Sequence, residues 1–543
     1  MRRGIKRGLI GIVAGAMIFA SVLGADAMTT QAAVVQPGGI GSVAILSATI
    51  GGDNVVINAV ASEMPASDDG QFHLFAERVY QIDPAGAPIA SLPIGPAATF
   101  VVPLGYNTVN NRLYDKFQIA VLQGGKYVPV SSAHYITNPE ALAGGSNGFV
   151  NNGKKGLILD SAKIGNGNTE VQQLGVQQGA YNINLEDVIG GNGAIQYNYN
   201  GKTYAFDSVS MGMYDHVVRV TTSQGIGLTM VLLNPRAKGE EFMISPSSRG
   251  GRCSYYMMNT SEEKGLEYLE AVVSFLARRY NGRNGCGQVD NWVIGNEVNA
   301  KSVWNYSSIH DEMQYAQLYT DELRVCYNAI KSNHANARVC ASLDQNWCKV
   351  QNVASYYSAR SMLEAINACA CSQGNFDWAL AEHPYNYPLT WTSFWTPQSA
   401  TAASMISHTI DTGYLSMENI EQLTDYMAQP AMRNTKGEVR PILLTEVGYS
   451  STQGEEAQAA AIVYAYQRTM TNQHLKMIIF NRQTDVAAEM KQGLSVGLSR
   501  PDGSHKLAFE FFQKMSSGEA GGYIQRAAAF MGIGDWAAAM YAR

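Results

Sequence analysis

The chain of 543 residues reads as an α/β protein, a (β/α)8 barrel preceded by an all-β sandwich, on three observations. Short alternating runs divided by turns fill the region up to about residue 145. Beyond it, strand-like runs alternate with amphipathic helical runs eight times. A Gly/Asn-rich stretch, GGSNGFVNNG, lies between the two rhythms as a linker. Two domains also suit the length, which exceeds what one hydrophobic core usually organises.

In the first rhythm, assigned to 34–145, the runs SVAILSATI, NVVINAV, QFHLFAERVYQI, ATFVVPL, DKFQIAVLQ and YVPVSSAHYI are parted by GGDN, DDGQ, PAGAP and GGK. Alternation with β-branched and aromatic residues at this spacing predicts an antiparallel sandwich. Such a module either binds polysaccharide or only packs, and the residues do not separate the two.

The second rhythm, assigned to 146–543, pairs GLIL, GAYNINL, LTMVLLN, VDNWVIGN, ARVCASLD, FDWALAEH, PILLTEVG and LKMIIFN each with a following helical run, and closes with a helical tail. Strands interleaved with helices imply parallel pairing, and eight units suggest closure into a barrel. An open doubly wound sheet is the alternative, but its Gly-rich first turn is missing.

Net charge is −6 and no Lys/Arg block lies beyond the N-terminus, so neither nucleic acid nor an anionic membrane is expected as a partner. The start is informative: basic MRRGIKRG precedes apolar LIGIVAGAMIFASVLG, with small-x-small cleavage sites ending at Ala27 or Ala33. A signal peptide over 1–33 and a secreted product follow, with a retained anchor as the alternative. No cysteine follows the run to receive a lipid. The seven cysteines, all from Cys253 onward, imply buried thiols or one or two disulfides of unreadable connectivity.

Barrel chemistry sits at the C-terminal ends of the strands. Strand four, in NWVIGNEVN, ends in Asn296-Glu297; strand six ends in His383-Pro384-Tyr385; strand seven ends in Thr445-Glu446. Strands four and seven face one another across the mouth. Two carboxyl groups meeting over a sugar are what glycoside cleavage requires: one protonated to donate to the leaving oxygen, the other ionised to attack carbon or activate water. A single strand-end Glu is commonly a salt-bridged rim residue; two in these places are not.

Over about residues 153–515, in strand order and local motif, the chain resembles the clan A glycoside hydrolases, retaining (β/α)8 glycosidases. The resemblance implies that Glu297 is the acid/base and Glu446 the nucleophile. It also implies that Asn296 binds a sugar 2-hydroxyl, that Tyr385 donates to Glu446, and that His383 lines the floor unless it is a core histidine. Asn182 and Asn184 on strand two can place at least one amide in the cavity. Many clan members end strand eight with Trp, whereas this chain reads Phe480-Asn481-Arg482. Arg482 could neutralise an acidic substrate, support Glu446 or occupy the rim.

Aromatic faces bind the apolar faces of sugar rings. Trp304, Trp347, Trp391 and Trp395 fall in loops after strands four, five and six and suggest subsites for an oligo- or polysaccharide. Gly493-Leu494-Ser495-Val496-Gly497 matches a serine-hydrolase elbow, but polar AAEMKQ precedes it where a strand is needed. No metal or cofactor is called for. The expected activity is a secreted retaining glycosidase acting on β-linked glycans. A transglycosylase and a non-catalytic carbohydrate-binding protein on the same scaffold are the alternatives.

Overall fold

The computed structural model describes residues 42–541 apart from 83, 85, 146 and 351. The expected leader over 1–33 lies outside the described residues. Two antiparallel sheets come first. One has the order β1 (Val43–Gly51), β2 (Asn54–Ala61), β5 (Ala97–Pro103). The other runs β4 (Ala90–Pro93), β3 (Gln71–Glu77), β6 (Lys116–Gln123), β7 (Lys126–Pro129), with β8 (His134–Tyr135) also paired to β6. In β5, Ala98, Phe100 and Val102 point inward while their neighbours are exposed, and they join Ile57, Phe72, Leu74 and Ile119 in one core. The sequence expectation differed in detail. QFHLFAERVYQI stops being a strand at Glu77, and the short β4 went unforeseen because ASLP between two turns carries little alternation.

Eight parallel strands then close a barrel in the order β9 (Lys155–Ile158), β10 (Gln178–Asn184), β13 (Gly227–Leu233), β14 (Asn291–Ile294), β15 (Arg338–Asp344), β16 (Ala379–His383), β17 (Ile442–Val447), β18 (Leu475–Phe480) and back to β9. Strand alternation sorts the side chains into two cores. Ile158, Ala180, Val231, Val293, Cys340, Ala381, Leu443 and Ile479 fill the inside. Leu157, Ile183, Leu232, Ile294, Leu380 and Leu444 face out to the helical layer. That layer includes the long helices Ser208–Ser223, Glu263–Arg279, Glu312–Lys331, Ala359–Ser372 and Glu455–Thr471. The tail helices Leu507–Lys514, Ala520–Met531 and Trp536–Tyr541 pack on the last of these. All seven cysteines are free thiols. Among the described residues no helix is long and apolar enough to cross a membrane.

A hairpin, β11 (Ile195–Tyr199) and β12 (Lys202–Phe206), interrupts the second strand-helix unit. Its two-residue turn, Asn200-Gly201, has φ of 50° and 75°, the Asn-Gly turn favoured in tight hairpins. This signal was present in QYNYNGKTY and was missed. The hairpin meets the N-terminal sheets: the Tyr114 and Tyr199 hydroxyls bond at 2.6 Å, and Asn111 Nδ2 donates to Asn200 Oδ1 at 2.9 Å. Asn328 Nδ2 donates to the Leu113 carbonyl at 2.9 Å, and Arg78 pairs with both Asp115 and Glu270. Whatever else it does, the sandwich packs on the barrel.

Burial pushes Asp115 up to about 6 and Glu270 up to about 7, so both need Arg78 most when ionised above neutrality. Arg78→Met should cost about 3 kcal/mol at pH 8 in urea denaturation. The cost should be smaller at pH 5, where the two carboxyls take up protons instead. An equal cost at both pH values would count against this ion cluster.

Candidate active site

Strand β14 is buried on both faces and ends at Gly295, whose φ of 71° turns the chain across the barrel mouth. Glu297 follows with φ 41°, a left-handed conformation that a residue with a Cβ adopts at a cost of about 1–2 kcal/mol. The end of β15 offsets that cost. Glu297 N–H donates to Ser342 Oγ at 2.9 Å, and Val298 N–H donates to the Ser342 carbonyl at 3.0 Å. Asn299 and Asp344 bond reciprocally: Asn299 Nδ2 donates to Asp344 Oδ1 at 2.6 Å, and Asp344 N–H donates to Asn299 Oδ1 at 3.0 Å.

The turn delivers the Glu297 carboxyl to His383, with Oε1 and Nδ1 2.8 Å apart, and to the indole of Trp304. Burial pushes Glu297 up to about 7, with the Trp304 hydrogen bond pulling modestly the other way. Burial also lowers His383, favouring neutral imidazole, and its Nε2 sits 3.1 Å from Thr445 Oγ1. In the tautomer protonated at Nε2, Nδ1 accepts the proton of a neutral Glu297.

Glu446 stands next to Thr445 at the end of β17, 2% exposed. Tyr385 donates its hydroxyl to Glu446 Oε1 at 2.6 Å, and Asn481 Nδ2 lies 3.4 Å from the same oxygen. Burial raises Glu446, while the charge of nearby His383 when protonated, the Tyr385 bond and the Arg482 guanidinium oppose the rise; Glu297 adds to it. The two carboxyls are thus close enough to influence each other yet differ in company. One has an imidazole and an indole; the other has a phenol, an amide and a guanidinium.

Of the other predicted residues, Asn296 is buried beside Glu297, and its side chain has no hydrogen bond among the described residues. Asn182 and Asn184 alternate with outward Ile183, on the side of inward Ala180. Asn182 Oδ1 is buried with no partner among the described residues, whereas Asn184 Nδ2 turns to Asp187 at 3.3 Å. Trp304 stacks on Tyr255 at 6.0 Å between ring centres. Arg482 donates through Nη2 to Glu489 at 2.6 Å and through Nε to Asn481 Oδ1 at 2.8 Å.

The remaining tryptophans correct the expectation of a four-indole cleft. Trp347 is fully buried, donates to the Ile410 carbonyl at 2.9 Å and packs edge-on against Tyr426, so it is core. Trp395 is half-buried and packs edge-on against Phe394 and against Phe530 of the tail helix Ala520–Met531. Trp391 stays half-buried, its N–H held by the carbonyls of Ser393 at 3.0 Å and Thr396 at 2.8 Å, which braces its own loop. Indole in a loop is a weak cleft signal because a long loop needs its own core. The Gly493–Gly497 motif is likewise structural: Ser451 N–H and the Lys506 ammonium both bind the Ser495 carbonyl, at 3.0 and 2.9 Å.

Four residues of the site went unnamed. Asp344 is pushed up to about 7 by burial and by Glu297, with Asn299 and Asn346 donating to it. Asn481 touches both Glu446 and Tyr385. Tyr255 is pushed up to about 12 by burial and the nearby Glu446. Tyr356 packs on the inner core, close enough to Asp344 and Glu297 to feel their charge. Asp344 was findable: ARVCASLD ends in a carboxylate at the same rim as the two Glu. The tyrosines were not, because each sits in a loop with no period. Among the described residues no group of three or more His, Cys, Asp or Glu is placed to hold a metal ion.

The fold is thus a closed eight-stranded parallel barrel whose rim carries Asn-Glu after strand four and Glu at the end of strand seven. The chain itself belongs to a family of unknown function (DUF5722), whose profile matches residues 148–539. No curated protein matches it. Among solved structures it is similar to a family 39 glycoside hydrolase from the gut symbiont Bacteroides cellulosilyticus, at 14% identity over 87% of this chain and 81% of that one, TM-score 0.43. It is also similar to an endo-1,4-β-mannanase from Rhizomucor miehei, at 14% identity over 70% of this chain and 94% of that one, TM-score 0.41. A β-glucosidase from Pyrococcus furiosus gives 13% identity over 66% of this chain and 85% of that one, TM-score 0.41.

Proposed function

We propose that the protein is a secreted glycoside hydrolase that cleaves β-linked glycans with retention of configuration. The observation that carries this reading is the pair Glu297 and Glu446. They come from strands across the barrel from one another, lie near one imidazole that bonds Glu297 and Thr445, and sit in surroundings that favour the proton on Glu297. The secreted location rests on the N-terminal residues alone.

In the first step Glu446 attacks the anomeric carbon while Glu297 gives its proton to the departing glycosidic oxygen, leaving a glycosyl ester on Glu446. In the second, Glu297, now ionised, takes a proton from water, which displaces Glu446. Tyr385 and Asn481 hold the attacking oxygen of Glu446. His383 receives little net charge in either step, since it accepts from Glu297 when that group is neutral. Asn296 and Asn182 have amide capacity left for sugar hydroxyls.

Proton NMR of the hydrolysate in its first minutes tests the reading: the β-anomer should appear first and mutarotate afterwards. An α-anomer appearing first would rule out the double displacement. The pH profile gives a second check. Glu297 must be protonated for the first step, so kcat/KM should fall about tenfold per pH unit above about 7, where its proton leaves. A profile flat to pH 9 would contradict the acid role.

A further inference from the structure

We infer that the subsite beside Glu446 takes a neutral glycosyl unit and rejects a uronosyl unit, an inference that relies on the glycosidase reading for the position of that subsite. A uronosyl unit differs from its neutral counterpart in carrying a carboxylate in place of the C6 hydroxymethyl group. Holding it requires a cation with donors to give.

The guanidinium beside Glu446 is Arg482, and its Nε and Nη2 are committed. Nη2 bonds Glu489 Oε1 at 2.6 Å and Nε bonds Asn481 Oδ1 at 2.8 Å, with Arg482 8% and Glu489 1% exposed. The second oxygen of the pair's carboxyl, Glu489 Oε2, is buried with no hydrogen-bond partner among the described residues. Two lysines of the barrel half are engaged too. Lys506 is paired with Asp485 at 2.7 Å, and Lys301 donates to the Ile309 carbonyl at 2.8 Å and to the Tyr357 hydroxyl at 3.2 Å. Burial disfavours a charge on His383. Against these stand the carboxyls of Glu297, Asp344, Glu446 and Glu489.

A substrate carboxylate would enter a buried site in which Glu297, Asp344 and Glu489 are already pushed up to about 7, so that a further negative charge is opposed far more strongly than in water. A hydroxymethyl group meets no such penalty and can donate to the same oxygens. The Arg482–Glu489 pair therefore acts as a filter: it supplies positive potential to Glu446 but keeps Nε and Nη2 from the substrate.

The test uses matched pairs that differ only at C6. Rates are measured on 4-nitrophenyl β-glucoside against β-glucuronide and on β-galactoside against β-galacturonide. Binding to Glu446→Gln is measured by calorimetry with β-1,4-manno-oligosaccharides against β-1,4-oligomannuronates. We expect kcat/KM for a neutral glycoside to exceed that of its uronide at least about 100-fold, and neutral oligosaccharides alone to bind. Glu489→Gln, which removes one charge and loosens Arg482, should narrow the ratio. A uronide turned over within tenfold of its neutral partner, or oligomannuronate bound as well as manno-oligosaccharide, overturns the inference. Binding of neither class overturns it as well. Selective neutral binding without any hydrolysis would instead refute the glycosidase reading and leave the charge filter standing. Should Glu489→Gln fail to fold, the wild-type ratios and the binding data decide alone.

Discussion

Glu446→Ala should lower kcat by about four to six decades, the scale seen when a covalent nucleophile is removed. No neighbour can replace it. Tyr385 is raised well above its usual range by burial and Glu446, so it stays a neutral phenol, and Asn481 offers only an amide. The variant leaves a small cavity on the face of the sugar from which Glu446 attacks. Azide can enter there and displace the leaving group once, yielding the α-glycosyl azide from a β-glycoside. Recovery of turnover with azide separates lost chemistry from lost fold, since a misfolded protein gives no rescue. Native turnover in the alanine variant, or a rescued product of retained configuration, would remove Glu446 from the mechanism.

Glu297→Ala should have the second largest effect, about 10²–10⁴-fold on glycosides whose leaving oxygen needs a proton. A 2,4-dinitrophenyl glycoside, whose leaving group departs as an anion, should form the covalent intermediate at close to the native rate and then stall. Azide should relieve the stall and give the β-glycosyl azide. The fall in kcat/KM above about pH 7 should vanish with the acid. A stability effect accompanies the kinetic one. Folded Glu297 keeps its proton up to about 7, against 4.5 for an ordinary glutamic acid. The stability this preference contributes is complete below 4.5 and is lost as pH rises through 7. Glu297→Gln has no such loss, so its melting temperature at pH 8 should exceed the native one. An equal slowing on both kinds of leaving group would mean that Glu297 acts on something other than the departing oxygen.

The parts of this molecule that were legible in the chain were those with a period or a punctuation mark. Buried strands such as NWVIGN and PILLTEVG announce themselves because both faces are covered, and each is interrupted by a carboxylate where the strand meets the mouth. That points to Glu297 and Glu446 at the rim, while His383 and Tyr385 are reached through the motif resemblance. Contacts set by loops were not legible. Trp347 looks like a platform for sugar when only residue type is visible, and becomes core once Tyr426 is seen against it, whereas Trp395 is half-buried against Phe530. Asn481 was read as the absence of Trp; its role as a donor to Glu446 depends on where β18 ends in space. The clamp of Ser342 and Asp344 on the Glu297 turn joins residues 45 positions apart, a pairing that the parallel neighbourhood of β14 and β15 creates.

The seam between the sandwich and the barrel bears on how this protein is to be made. The family profile begins at residue 148, which invites a gene trimmed to that point. Such a fragment would strip the cover from Tyr199 and deprive Glu270 and Asn328 of their partners. The raw flank so exposed would favour clumping in the test tube, and a dead preparation would be mistaken for a dead catalyst. Expression should keep everything from residue 42 onward, with the eight-stranded half treated as a lodger in a shared wall and not as a free-standing unit.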